Sequence, residues 1–199
     1  MDVLPLMEMY LTLQGEGYHQ GKPAFFIRLA GCNVGCHWCD VKESWDEKNY
    51  PKITVDDILK EVRKQPVQMV VITGGEPLMY DLNCLTQKIK EHGFKTHIET
   101  SGTYEVTGTW DWFCLSPKKY KKPVPESYQK ADELKIIVYN QSDLEFALKE
   151  SKKVMPHCHL YLQPEWSKKE SVLPMIVDFI KKNPHWRMSL QIHKYINIP

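Results

Sequence analysis

The sequence holds no apolar stretch of about 18 residues, the least that a membrane-spanning helix requires. It has no excess of either charge: 26 basic side chains stand against 25 acidic ones. That balance speaks against a dedicated nucleic-acid or membrane-surface binder, which carries a basic surplus. There is no low-complexity tract and no long linker. The 199 residues suffice for one domain with a core and are few for two, so a single domain over 1–199 is expected. The opening segment, Met1 to Leu13, lacks a basic leader. Asp2 and Glu8 interrupt it and Gln14-Gly15-Glu16-Gly17 follows, so it does not read as a signal peptide. A cytoplasmic protein is the expectation.

The six cysteines do not form an evenly spaced disulfide framework. Cys84, Cys114 and Cys158 are scattered and read as small buried side chains. Cys32, Cys36 and Cys39 are clustered in Gly31-Cys32-Asn33-Val34-Gly35-Cys36-His37-Trp38-Cys39-Asp40. A C-x3-C-x2-C loop can wrap one corner of a cubane iron–sulfur cluster, three thiolates binding three irons and leaving the fourth open. An open iron can coordinate a substrate or cofactor. A structural zinc site is the alternative, with His37 as a fourth ligand. No fourth cluster cysteine is apparent, which disfavours a simple electron carrier.

Strand-length apolar runs alternate with helical patterns. Expected strands are Ala24–Ala30, Val67–Thr73, Lys95–Glu99, Trp112–Leu115, Leu134–Tyr139, His159–Gln163 and a closing Met188–His193. Expected helices are Thr54–Gln65, Asp81–His92 stopped at Gly93, Ser142–Glu150 and Ser171–Lys182. Thr54 can cap the first, with Asp57 three residues on. This alternation argues a mainly parallel α/β sheet with helices outside it. The units are too few for a closed eight-stranded barrel, so an open, partial (β/α) barrel of about six mainly parallel strands is expected. The informative segments all follow strands, at the carboxyl ends where such sheets bind ligands. They are Gly31–Asp40, Gly74–Pro77, Thr100–Thr103, Ser116–Lys118 and Gln163-Pro164.

The cysteine loop, with an aromatic residue before its third cysteine (Trp38), and Gly74-Gly75-Glu76-Pro77 after the second strand resemble the radical S-adenosylmethionine superfamily. Glu8–Gly17, Phe26–Gly31, Val70–Leu78, Ile98–Thr103, Ser116-Pro117-Lys118 and Gln191–Pro199 are similar to one of its families, the 7-carboxy-7-deazaguanine synthases. The resemblance implies a lyase that contracts 6-carboxytetrahydropterin to 7-carboxy-7-deazaguanine with loss of ammonia, on the route to queuosine and other deazapurines. It implies a [4Fe–4S] cluster on Cys32, Cys36 and Cys39, S-adenosylmethionine and magnesium. It also implies a homodimer, a flavodoxin-like or other reductant, and no direct contact with nucleic acid or membrane. An activating enzyme for a glycyl-radical protein is the nearest rival; a zinc-stabilised binding module is a rival of another class.

Carried to this chain, the resemblance gives the substrate Leu13, Gln14, Gly15, Glu16, Arg28, Thr73 and the terminal carboxylate of Pro199. It gives S-adenosylmethionine Trp38, Cys39, Asp40, Gly75, Ser116, Pro117, Lys118, Gln163 and Pro164. Arg28 lies in an apolar strand, where a charge is costly unless paired, and is expected to clamp the substrate carboxylate; a structural pair with Glu76 or Glu99 is the alternative. Lys119, Lys121 and Lys122 read as a solvated loop, and His193 and Lys194 as supports. One departure concerns magnesium. The family commonly has Thr or Ser where this chain has Val41, which offers a hard cation no oxygen. Either substrate, water and another group such as Asp40 or Ser44 hold the magnesium, or the enzyme depends on it weakly.

Overall fold

The computed structural model describes residues 2–199; Met1, the first residue of the leader reading, lies outside them. Nine strands form one sheet: β1 (Val3–Leu13), β2 (Pro23–Leu29), β3 (Lys52–Thr54), β4 (Met69–Gly74), β5 (Lys95–Thr100), β6 (Trp112–Leu115), β7 (Glu133–Val138), β8 (His159–Pro164) and β9 (Trp186–Met188). Their order is β3-β1-β2-β4-β5-β6-β7-β8-β9. From β2 to β9 every neighbouring pair is parallel, while β1 runs antiparallel to both β2 and β3. Among the described residues the α-helices are α1 (Val55–Val62), α2 (Asn83–Glu91), α3 (Pro125–Lys130), α4 (Ser142–Ser151), α5 (Lys169–Lys182) and α6 (Ile192–Ile196). The partial-barrel expectation holds, with more strands than about six: β1 and β3 flank the parallel set on one side.

Strand alternation separates two faces. On one, Ile27, Leu29, Val70, Ile72, Ile98, Phe113, Leu134, Ile136 and Leu162 pack with Ile58, Val62, Leu85, Ile89, Ala147 and Ile176 from the helices. Each such buried Ile or Leu contributes about 1.5–3 kcal/mol. The opposite face combines a small apolar cluster of Ala24, Phe26, Met69 and Val71 with polar side chains. It carries Tyr10, Thr12, Arg28, Thr73, Glu99, Lys135 and Gln163, which the outer core leaves free to line a cavity.

Local signals explain the helix ends. Thr54 Oγ accepts the Asp57 N–H at 3.1 Å and donates to the Asp57 carboxylate at 2.7 Å, a reciprocal cap. Gly93, at φ 82°, follows α2 and ends it as expected. The closing segment differs from expectation. Ser189 makes the last ladder bond to Leu162, and the chain then leaves the sheet. Ile192 N–H donates to Gly15 O at 3.0 Å, and α6 forms over the β1–β2 turn, ended by Asn197 in the left-handed region. Met188–His193 is therefore the end of β9, a crossing and the first turn of a helix rather than one strand.

Candidate functional site

The polar sheet face and the loops after the strands enclose one cavity of about 430 Å³. That is within the usual range for small-molecule sites. Cys32, Cys36 and Cys39 line one side of it, each a free thiol. Their loop is pinned by Gly31 N–H on Ser44 O at 2.6 Å and Cys32 N–H on Trp45 O at 3.1 Å. Gly35, at φ 77°, lets the chain reverse between the first two cysteines. Tyr104 Oη and Lys121 Nζ both donate to Asn33 Oδ1, tying the loop to the segments that follow β5 and β6.

Gly75 sits directly beneath this loop. A Cβ there would lie 2.2 Å from Gly31 O and 2.9 Å from Cys32 Cβ, so only glycine admits the close approach. Glu76 is buried and also lines the cavity. It accepts from Leu78 N–H at 3.1 Å, Ser101 N–H at 2.8 Å and the hydroxyls of Thr100 and Ser101. The glycine pair and Glu76 thus both face the cavity, and the glutamate also ties the end of β4 to the end of β5.

Burial lowers the Arg28 guanidinium's affinity for its proton, but Tyr10 and Glu8 outweigh that and raise it. Arg28 Nε donates to Glu8 at 2.7 Å and an NH2 group to Tyr10 Oη at 2.9 Å. Neither Glu76 nor Glu99 is its partner, and the guanidinium has further N–H donors to offer the cavity. Deeper in, Lys135, 3 % exposed, bonds both Glu16 and Glu99. Burial pushes the Glu16 carboxyl up, yet Lys135 holds it at about 2. Gln14 bridges the same group: its Nε2 donates to Glu99 at 2.9 Å and its Oε1 accepts from Glu16 N–H at 3.0 Å.

Of the residues expected at the substrate, Leu13, Gln14, Gly15, Glu16, Arg28, Thr73 and Pro199 all line the cavity. Thr12 Oγ donates to Pro199 O at 3.1 Å. Of those expected at the cofactor, Trp38, Cys39, Asp40, Gly75, Ser116, Lys118, Gln163 and Pro164 line it. Pro117 does not: it is buried outside the lining, on the opposite alternation from Ser116 and Lys118. Lys118 Nζ, half-buried, bonds Ser116 Oγ at 2.8 Å and lies 5.5 Å from the Trp38 ring centre.

Other expectations are corrected. Of the solvated-loop set Lys119 and Lys122 are exposed, the former pairing with Asp143 at 2.5 Å, while the half-buried Lys121 reaches Asn33. Cys84 is half-buried, unlike Cys114 and Cys158. Glu99, Lys135, Tyr10, Trp166 and Gln191 also line the cavity and were missed. Their signal was alternation: Glu99 and Lys135 lie in strands on the face away from the apolar core. His193, read as a support, lines the cavity too. A Cβ on Gly15 would lie 2.0 Å from its Nδ1.

The donor sets separate the implied groups. Three thiols on one pinned loop, over a glycine cradle, fit a cluster with an open iron. Among the described residues no group of three or more His, Cys, Asp or Glu is gathered for a single metal ion, as structural zinc would need. A cubane places each thiolate on a separate iron and needs no such convergence. Magnesium at position 41 does not fit. Val41 has no side-chain oxygen, and the buried Ser44 hydroxyl donates its proton to Val41 O at 2.6 Å while keeping its lone pairs. Asp40 is already paired with Lys194 at 2.6 Å.

This sheet, with a three-cysteine loop after its first parallel strand and a Gly-Gly-Glu-Pro turn after the second, defines a radical S-adenosylmethionine enzyme. Residues 26–111 match the Radical SAM superfamily. The 7-carboxy-7-deazaguanine synthase of Flavobacterium psychrophilum is 56% identical over 198 residues, spanning 100% of this chain and 94% of that one. The synthases of Synechocystis and Escherichia coli K12 are 45% and 36% identical, each over 98% of this chain and 93% and 98% of their own. A crystal structure described as QueE from Escherichia coli superposes with a TM-score of 0.84 at 33% identity, over 94% of this chain and 93% of that one. The chain belongs to the 7-carboxy-7-deazaguanine synthase family.

Proposed function

We infer that the chain contracts 6-carboxy-5,6,7,8-tetrahydropterin to 7-carboxy-7-deazaguanine, releasing ammonia. One observation carries this reading. The three-cysteine loop, a half-buried arginine and a polar wall of Gln14, Glu16, Glu99 and Lys135 face a single cavity. Cys32, Cys36 and Cys39 would hold the cluster, with S-adenosylmethionine against Trp38, Asp40, Gly75, Ser116, Lys118, Gln163 and Pro164. When bound and reduced, the cluster supplies one electron to cleave the sulfonium carbon–sulfur bond, giving a carbon radical able to abstract hydrogen.

The chain's own residues then decide which hydrogen is taken. Arg28 Nε and one NH2 group are already committed, so its remaining N–H donors meet a carboxylate in a fixed direction. Together with the Pro199 end and Thr73, this fixes carbon 6 beside the cofactor; misplacement by an ångström costs orders of magnitude. Gln14, Glu16 and the backbone of Leu13 and Gly15 present donors and acceptors to the edge of a flat heterocycle. Trp38 and Trp166 add aromatic surface to the cavity wall.

The same reading makes residues 1–199 one radical S-adenosylmethionine core domain. It places the protein in the cytoplasm as a homodimer fed by a flavodoxin-like or other reductant. Among the described residues no helix is long and apolar enough to cross a membrane. The test is anaerobic incubation of reconstituted protein with the pterin, S-adenosylmethionine and dithionite, with mass detection of the deazaguanine acid. Its appearance supports the reading. Intact pterin beside cleaved cofactor would overturn the substrate assignment.

A further inference from the structure

Lys135 is the most deeply buried cation in the cavity wall, 3% exposed in the middle of β7. It touches no group that the reaction consumes. Its ammonium bonds Glu16, from the β1–β2 turn, and Glu99, on β5, at 2.9 Å for the latter. The other oxygen of each carboxylate takes a neutral amide: Gln191 Nε2 on Glu16 at 2.9 Å and Gln14 Nε2 on Glu99 at 2.9 Å. One lysine thus joins three elements that have no sequence proximity. Two carboxylates against one ammonium leave a net negative charge facing the cavity.

We propose that Lys135 is a positioning residue that keeps Glu16 and Glu99 ionised and aimed, so that the cavity accepts a ligand edge rich in N–H donors. This rests on the proposed pterin reading, whose aminopyrimidine edge has that chemistry. The physical need is plain. A buried carboxylate without a partner takes up a proton, losing its charge and gaining an O–H donor on one of its two oxygens. A donor there would face the N–H edge of the ligand and repel it. Other charged or titratable groups surround the set: Glu133 on the same strand, Tyr10 on β1, Cys114 on β6, Lys118 after β6, Tyr161 opposite Lys135 on β8 and His193 on α6. Lys135 is the cation that contacts both carboxylates directly. Burial works against its charge, and the negative groups around it raise its proton affinity well above the usual lysine range, so the ammonium persists.

The experiment compares wild type, Lys135→Met and Lys135→Arg from pH 6 to 9. In Lys135→Met, KM for the pterin rises about 100-fold near neutral pH, the scale of an uncompensated buried charge. It falls again as pH rises, because the orphaned carboxyls ionise. Wild type shows no such limb, and Lys135→Arg, which keeps the charge, keeps a flat profile even if its KM is higher. Infrared spectra of the ligand-free proteins give a second readout. Lys135→Met adds a protonated-carboxyl band at neutral pH that Glu16→Gln in the same background diminishes. An unchanged, flat KM profile in Lys135→Met would overturn the proposal. If the wild type fails to convert the pterin, the proposed function falls, and the infrared titration still decides Lys135. The absence of the added band would then reject it.

Discussion

Substituting Gly75 by alanine should empty the cluster site without unfolding the chain. The new Cβ would stand 2.2 Å from Gly31 O, 2.7 Å from Gly31 C and 2.9 Å from Cys32 Cβ. An ordinary carbon–oxygen approach is about 3.3 Å, so Gly31 has to retreat by about 1 Å. That retreat stretches Glu76 N–H to Gly31 O, now 2.8 Å, and Gly31 N–H to Ser44 O, now 2.6 Å. Overpacking of this kind costs about 1–3 kcal/mol, roughly 2–12 °C of melting temperature in a chain of this size. The fold survives, but Cys32 moves with Gly31. The assay is anaerobic reconstitution, with iron counted per chain, and the rate of dithionite-driven cofactor cleavage. Gly35→Ala is the control. Its Cβ meets nothing within 4 Å, so it incurs only the backbone strain of its positive φ, about 1–2 kcal/mol. Gly75→Ala should lose most of its iron and fall at least 100-fold in cleavage, the scale of an ångström's misplacement, while Gly35→Ala stays closer to wild type. A Gly75→Ala protein with full iron and wild-type cleavage would refute the cradle.

Three further outcomes are expected. Arg28→Ala keeps its cluster but loses about 2–3 kcal/mol of charge-assisted binding, roughly 30- to 150-fold in kcat/KM for the pterin; unchanged substrate kinetics would remove the clamp. A chain continued past Pro199 must route out of the cavity that Pro199 lines, so a carboxyl-terminal tag should depress turnover more than an amino-terminal one, as paired steady-state assays would show. Turnover should change less than about two-fold when magnesium is omitted, since Val41 offers a hard cation no side-chain oxygen. Manganese bound by the wild type with and without pterin, followed by electron paramagnetic resonance, checks this apart from activity; a tight protein-held site would contradict it.

The parallel strands were legible because their outward residues form unbroken apolar alternations, as in Val70, Ile72 and Ile98. The cysteine loop and glycine turn were legible because their spacing is local. The sites missed were long-range. Lys135 and Glu99 each look like an isolated charge in a strand until the sheet brings β5, β7 and the β1–β2 turn together. The final strand was misread because Leu190 and Ile192 alternate like a strand. What stops the ladder is Ser189, whose hydroxyl donates to Gln163 at 2.7 Å and accepts from Gly17 N–H at 2.9 Å. Pro117 was carried over with its neighbours, although alternation places it on the opposite side from Ser116 and Lys118.

The most direct measurement follows one hydrogen. Pterin carrying deuterium at carbon 6 is turned over anaerobically, and the adenosyl group of the recovered cofactor is examined by mass. If the cysteine loop and Arg28 hold cofactor and substrate side by side in one cavity, deuterium enters the adenosyl 5′ carbon. Deazaguanine acid formed while that carbon stays unlabelled would contradict the shared site.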